Sequence, residues 1–180
     1  MSDSTKELRR AEPVEGCDPM IGTALWALND ARRRTRDVLM GLNPAAVDWQ
    51  AADGGHTIGT LLYHIAAIEM DWLHNEVMEG KLPPGAWEMF THDVRDEAGN
   101  LTLVQGESWE RHWERLDKVR VLVLDIFKNM SLEDYRRVRV CELYDVTPEW
   151  VLYHLMQHEA EHRDELRSLR QRAERTLGNR

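Results

Sequence analysis

The chain has 180 residues, of which 42% are hydrophobic and 31% charged, and its formal net charge is −9. That is enough chain for one sizeable core, and the acidic balance disfavours non-specific binding to nucleic acid. Two cysteines, Cys17 and Cys141, cannot make a disulfide framework; with no apolar N-terminal h-region and no apolar run near the roughly 20 residues of a membrane span, the expectation is a cytoplasmic protein that neither enters nor spans a membrane.

Residues 1–17 are polar and read as a flexible arm, leaving 18–180 as a single domain. Asp18-Pro19 supplies an N-cap and a first helical residue. Ile21, Ala24, Leu25, Leu28, Ala31, Thr35, Val38, Leu39 and Leu42 then share one helical face, and Gly41-Leu-Asn-Pro44 ends the helix. Arg32, Arg33, Arg34 and Arg36 read mostly as its solvated side. A link containing Trp49 and the turn signal Asp53-Gly54-Gly55 follows.

Thr57 caps a second helix that runs to about Glu79, with Ile58, Leu61, Leu62, Ile65, Ile68, Trp72 and Leu73 as its apolar stripe. His64 lies beside that stripe, roughly 90° from its centre. By itself this allows a residue reaching between helices or a half-buried one without a role. Glu69 faces the core and needs a partner. It either orients a ligand histidine or bonds an arginine, tyrosine or tryptophan of another helix.

Residues 80–106 are broken by Gly80, Pro83, Pro84, Gly85, Gly99 and Gly106 and read as a long irregular connection. A loop of this length is often a lid or binding element. Trp87, Phe90 and His92 either contact a ligand or cap the end of the core. Ser108 caps a third helix, whose stripe is Trp109, Trp113, Leu116, Val119, Val123, Ile126, Phe127 and Met130; His112 falls on its expected outer side. Val138 to Tyr144 reads as a brief extended segment, with Cys141 a buried small residue.

The last helix starts at Thr147-Pro148 and ends near Gly178. His158 and His162 are four residues apart, which puts both imidazoles on one face with Cβ atoms about 5–6 Å apart. They fall within the stripe formed by Val151, Leu155, Leu166 and Leu169, while His154 lies on its margin. Two core-facing histidines one turn apart suit a shared divalent metal; two separately hydrogen-bonded core histidines are the alternative. His158-Glu-Ala-Glu-His162 also matches the H-E-x-x-H zincin pattern. The metzincin continuation is missing, since Glu165 and Ser168 stand at its fixed offsets. No histidine follows His162, so any third ligand must lie upstream, and a protease is not expected. Four long amphipathic helices without a clear sheet make the fold all-α, a four-helix bundle whose long connection between helices two and three can cross over to join parallel neighbours.

Two stretches resemble a known family. Gly55-His-Thr-Ile-Gly-Thr-Leu-Leu-Tyr-His-Ile-Ala-Ala-Ile-Glu-Met-Asp-Trp72 is similar to the second-helix motif of the DinB superfamily, and Val146-Thr-Pro-Glu-Trp-Val-Leu-Tyr-His-Leu-Met-Gln-His-Glu-Ala-Glu-His-Arg163 to its last-helix motif. The resemblance spans roughly residues 18–172. It implies a metal-binding DinB-like bundle with a triad of His64, His158 and His162. Asp164 replaces the family's usual glycine. DinB-like families include mycothiol-dependent isomerases and bacillithiol transferases. The resemblance therefore implies an open three-histidine site for Zn²⁺, Ni²⁺ or a similar ion, a low-molecular-weight thiol as co-substrate, and S-transferase, isomerase or hydrolase chemistry on a small molecule. Glu69 or Glu161 would support the ligands. A non-catalytic metal-binding stress-response protein is the alternative. Several members are dimers, so a homodimer is an expectation too.

Overall fold

A computed structural model describes residues 6–52 and 54–178; residues 1–5 of the expected arm and Asp53 of the expected turn lie outside them. The elements are α1 (Pro19–Leu39), a 3₁₀ turn (Pro44–Ala46), α2 (Ile58–Trp72) continued by a π-helical turn (Leu73–Val77), α3 (Trp109–Lys128), a short α4 (Leu132–Arg136), a hairpin of β1 (Arg139–Val140) and β2 (Asp145–Val146), and α5 (Pro148–Leu177).

Each long helix begins where a side chain can satisfy its first free N–H groups. Asp18 accepts from the Met20 amide at 2.8 Å, Thr57 from Thr60 at 2.9 Å, Ser108 from Arg111 at 3.1 Å and Thr147 from Trp150 at 3.3 Å. Beyond the π-helical turn, Glu79 and Gly80 both take left-handed backbone angles, φ 51° and 79°, which end the second helix.

The four long helices form an all-α bundle. α1 packs against α5 and α3, and α2 packs against α3 and α5. Contacts fix the directions. Arg163 reaches the Ala31 carbonyl and Arg170 the Val38 carbonyl, so α1 and α5 run parallel. Gly59 meets His112 and Glu69 meets Arg120, so α2 and α3 also run parallel. His64 meets His158 while Trp72 meets Trp150, so α2 and α5 are antiparallel. The long connection thus joins parallel neighbours. The core between them includes Ile21, Leu25, Leu28, Leu61, Leu62, Leu116, Val119 and Val151, none more than 1% exposed. Among the described residues no helix is long and apolar enough to cross a membrane.

Residues 81–106 are irregular but pinned to the bundle. The Val104 amide donates to Thr60 Oγ1 at 3.0 Å, the Tyr63 hydroxyl donates to the His92 carbonyl at 2.7 Å, and Arg115 donates to the Met89 carbonyl at 3.0 Å. Trp87 and Phe90 pack against the core and His92 is exposed, so the aromatics of this segment cap the bundle.

Two expectations need correction. His112 is 0% exposed, boxed between Gly59 and Arg115, and does not face outward. Arg32 is 5% exposed and belongs to the interior, unlike its neighbours Arg33, Arg34 and Arg36. Arg32 finds polar partners on the other long helices, whereas His112 is enclosed by Gly59 of α2 and by Arg115 one turn along its own helix.

Candidate metal centre

The apolar stripe of α2 carries His64 inward, and the antiparallel α5 presents His158 and His162 opposite it. His64 Nε2 lies 3.1 Å from His158 Nε2, which lies 3.1 Å from His162 Nε2. The three ligand atoms all fall within 4.8 Å of one another. His64 is 5% exposed; the other two are partly buried. The buried stripe of α5 runs through Val151, Leu152, Leu155, Glu159 and Leu166, so His158 and His162 flank it on the α2 side, displaced from the centre expected from periodicity.

The chemistry of this group is one that could hold a cation. An imidazole Nε2 has one in-plane position, holding either a hydrogen or a lone pair. His158 Nε2 is shared by both short contacts and can make only one well-aligned hydrogen bond. A cation at the centre uses all three lone pairs at once. Nitrogens 2.0–2.1 Å from a tetrahedral zinc would stand about 3.3 Å apart, close to the spacing found. Burial, followed by the influence of His162, holds His64 down to about 4; burial, His162 and His64 hold His158 down to about 3. Both are neutral at neutral pH and offer lone pairs. The far nitrogens of His64 and His162 have no hydrogen-bond partner, although Glu165 Oε2 stands 3.4 Å from His162 Nδ1. Among the described residues no fourth His, Cys, Asp or Glu joins the group.

The expected supporting carboxylates are elsewhere. Glu161 is exposed and accepts from Gln157 at 3.0 Å. Glu69 takes the second of its two readings. It binds Arg32 at 2.7 Å and Arg120 at 2.6 Å, and Glu159 binds the same two arginines at 2.8 and 3.1 Å. This buried, charge-neutral tetrad draws one residue from each long helix: Arg32 from α1, Glu69 from α2, Arg120 from α3 and Glu159 from α5. Arg32 also donates to the Leu116 carbonyl and Arg120 to the Leu28 carbonyl. Burial raises the Glu69 carboxyl, but the two guanidinium groups outweigh it and hold it below its ordinary value. Glu159 is the glutamate of the H-E-x-x-H match, and with both oxygens bonded to arginine it is not placed to act as a base at the histidines.

Sequence reasoning missed this tetrad, yet a signal was present. Arg32 follows Leu28 by four, Glu69 follows Ile65 by four, Arg120 follows Leu116 by four and Glu159 follows Leu155 by four. Each charge therefore sits on its helix's apolar stripe.

His154 is half-buried and does not join the histidine group. Its ring stacks on Trp150 at 5.1 Å and 6° and lies 6.0 Å from His158. Cys17 and Cys141 are partly buried and free.

A family model for the DinB superfamily matches residues 27–166. No curated protein matches the chain.

Proposed function

The chain belongs to the DinB superfamily, a metal-binding family, and on that premise we propose that His64, His158 and His162 hold a divalent ion, Zn²⁺ or Ni²⁺, in an enzyme that transfers or rearranges groups with the help of a small thiol. The observation that carries this reading is the convergence of three Nε2 atoms with no fourth His, Cys, Asp or Glu among the described residues. A structural zinc site is normally closed by four protein ligands.

An ion held there supplies Lewis acidity, lowering the pKa of a thiol or water that reaches it. The chain's own residues do the rest. His64 and His158 stay neutral, and each of the three histidines turns its Nε2 toward the other two. The antiparallel pairing of α2 and α5 fixes their spacing. The thiol loses its proton to solvent, and its sulfur forms a bond to an electrophilic carbon as the leaving group departs.

The test is elemental analysis of untagged protein beside a His158→Ala His162→Ala variant, then thiol consumption with a panel of electrophiles. One equivalent of metal, absent from the variant, and metal-dependent thiol consumption are expected. Protein without divalent metal overturns the reading. Metal without thiol-dependent turnover would favour the non-catalytic metal-binding alternative.

A further inference from the structure

The groove between α2 and α5 does not end at the histidines. Two turns away, Trp72 of α2 meets Trp150 of α5 at 5.4 Å and Tyr144 of the hairpin at 6.0 Å, with interplanar angles of 38° and 22°. His154 lies 4.3 Å from Trp72 and 6° from parallel with Trp150. A pocket of about 360 Å³ opens here, within the usual size of a small-molecule site. Trp72, Tyr144 and Trp150 line it together with Val138, Val146 and Asp145.

We propose that this pocket binds a planar aromatic or heteroaromatic ring bearing positive charge. Three observations choose that ligand. The Trp72 and Tyr144 rings are stacked at 22° and Trp150 is tilted 38° from Trp72, so the lining offers ring faces on which a flat ring can stack in offset fashion, whereas a rounded ammonium group needs rings facing it from several directions. The pocket is pre-formed: Tyr144 donates to Glu76 Oε1 at 2.9 Å, fixing the phenol ring from behind. Asp145 is the charged residue of the lining and no lysine or arginine lines it, so a cation gains from both the carboxylate and the ring faces, while an anion is repelled. Trp150 is 46% and Tyr144 44% exposed, leaving their surfaces open to a ligand. Trp150 and His158 are eight residues apart on α5, about 12 Å along its axis. That the bound ring belongs to a substrate acted on at the histidines rests on the proposed metal centre; binding in the pocket does not.

The test is isothermal titration calorimetry on the protein as purified, with metal content measured beside it. Four probes are used: N-methylquinolinium, 2-naphthol, 2-naphthoate and tetramethylammonium. N-methylquinolinium is expected to bind at least about tenfold more tightly than the similarly flat, bicyclic but anionic naphthoate and more tightly than tetramethylammonium, with 2-naphthol between. Trp150→Ala and, separately, Tyr144→Leu are expected to weaken it about tenfold or more without changing metal content or the circular dichroism spectrum. Equal binding of naphthoate, equal binding of tetramethylammonium, or binding that survives both substitutions overturns the proposal. So does failure of every probe to bind, including the case in which the protein is a dimer that Trp150→Ala dissociates, since a second copy would then cover the pocket. Loss of the metal reading alone would appear in the elemental analysis and leave the calorimetry intact.

Discussion

Arg32 Nε donates to Glu159 Oε1 at 2.8 Å across 127 residues of sequence, and both side chains are almost fully buried. This bond ties α1 to the residue beside His158, and it shares its partners with Glu69 and Arg120. Removing one member of such a group leaves an uncompensated charge in the interior. Arg32→Met is therefore expected to cost about 3–5 kcal/mol, and Glu159→Leu a similar amount, while the double substitution costs less than the sum. Urea denaturation of the four proteins of this cycle measures it. Strict additivity would mean that the two side chains do not interact.

The proposed ion should stabilise the fold as well as equip it, because its ligands come from two helices. At a free metal concentration of about a thousand times the dissociation constant, binding adds about 4 kcal/mol. Calorimetric melting with and without a chelator should show a clear fall in Tm on metal removal. His162→Ala should melt at the lower temperature in either condition. An unchanged Tm on chelation would argue that the histidines hold nothing.

His112 provides a pH dependence separate from the histidine group. Its Nε2 is buried without a hydrogen-bond partner, and burial lowers its pKa below 6.5. The unfolded chain therefore takes up this proton first. The stability tied to neutral His112 is present above about pH 6.5 and is lost as pH falls toward the lower folded value. Compared with His112→Gln, the native chain should lose up to about 1.4 kcal/mol more per pH unit within that window. Parallel stability curves for the two proteins between pH 7 and 5 would rule this out.

Gly22 lets the N-terminal arm lie against α1. The Val14 amide donates to the Gly22 carbonyl at 3.0 Å, and a Cβ at Gly22 would sit 2.5 Å from the Val14 carbonyl oxygen. Gly22→Ala should displace residues 13 and 14. Because alanine also favours the helix by about 1 kcal/mol, overall stability should change little. The displacement should instead expose Cys17, whose thiol donates to the Val14 carbonyl at 3.4 Å, and its labelling by a thiol reagent should become several times faster (an order-of-magnitude expectation for a locally opened segment). An unchanged labelling rate would show that the arm adjusts without leaving.

The helices and their starts were legible because Asp18, Thr57, Ser108 and Thr147 are local capping signals followed by 3.6-residue periodicity. The pairing of His158 with His162 was legible for the same local reason. His64 was not: its position beside the α2 stripe allowed two readings, and only the resemblance of the motif around it singled it out. Arg32 and His112 were misplaced because a polar residue on a helix reads as solvated unless its surroundings are known: the partners of Arg32 come from other helices, and His112 is covered by α2 where Gly59 leaves room for its ring. Leu73–Val77 gives no obvious sequence sign of its wider turn. The stacking of Tyr144 on Trp72 depends on the hairpin folding back over α2, which no local pattern announces.

The tetrad also acts as a register gauge during assembly. A long helix that slips by one residue turns its charged member about 100° around the axis. Its three partners are then left with unbalanced charge in a dry interior. A one-residue slip of any one helix thus incurs much the same penalty as deleting its charged side chain, about 3–5 kcal/mol. The same turn also carries the helix's apolar stripe off the core, so the four charges add their penalty to that loss and narrow further the set of compact states in which this chain can settle.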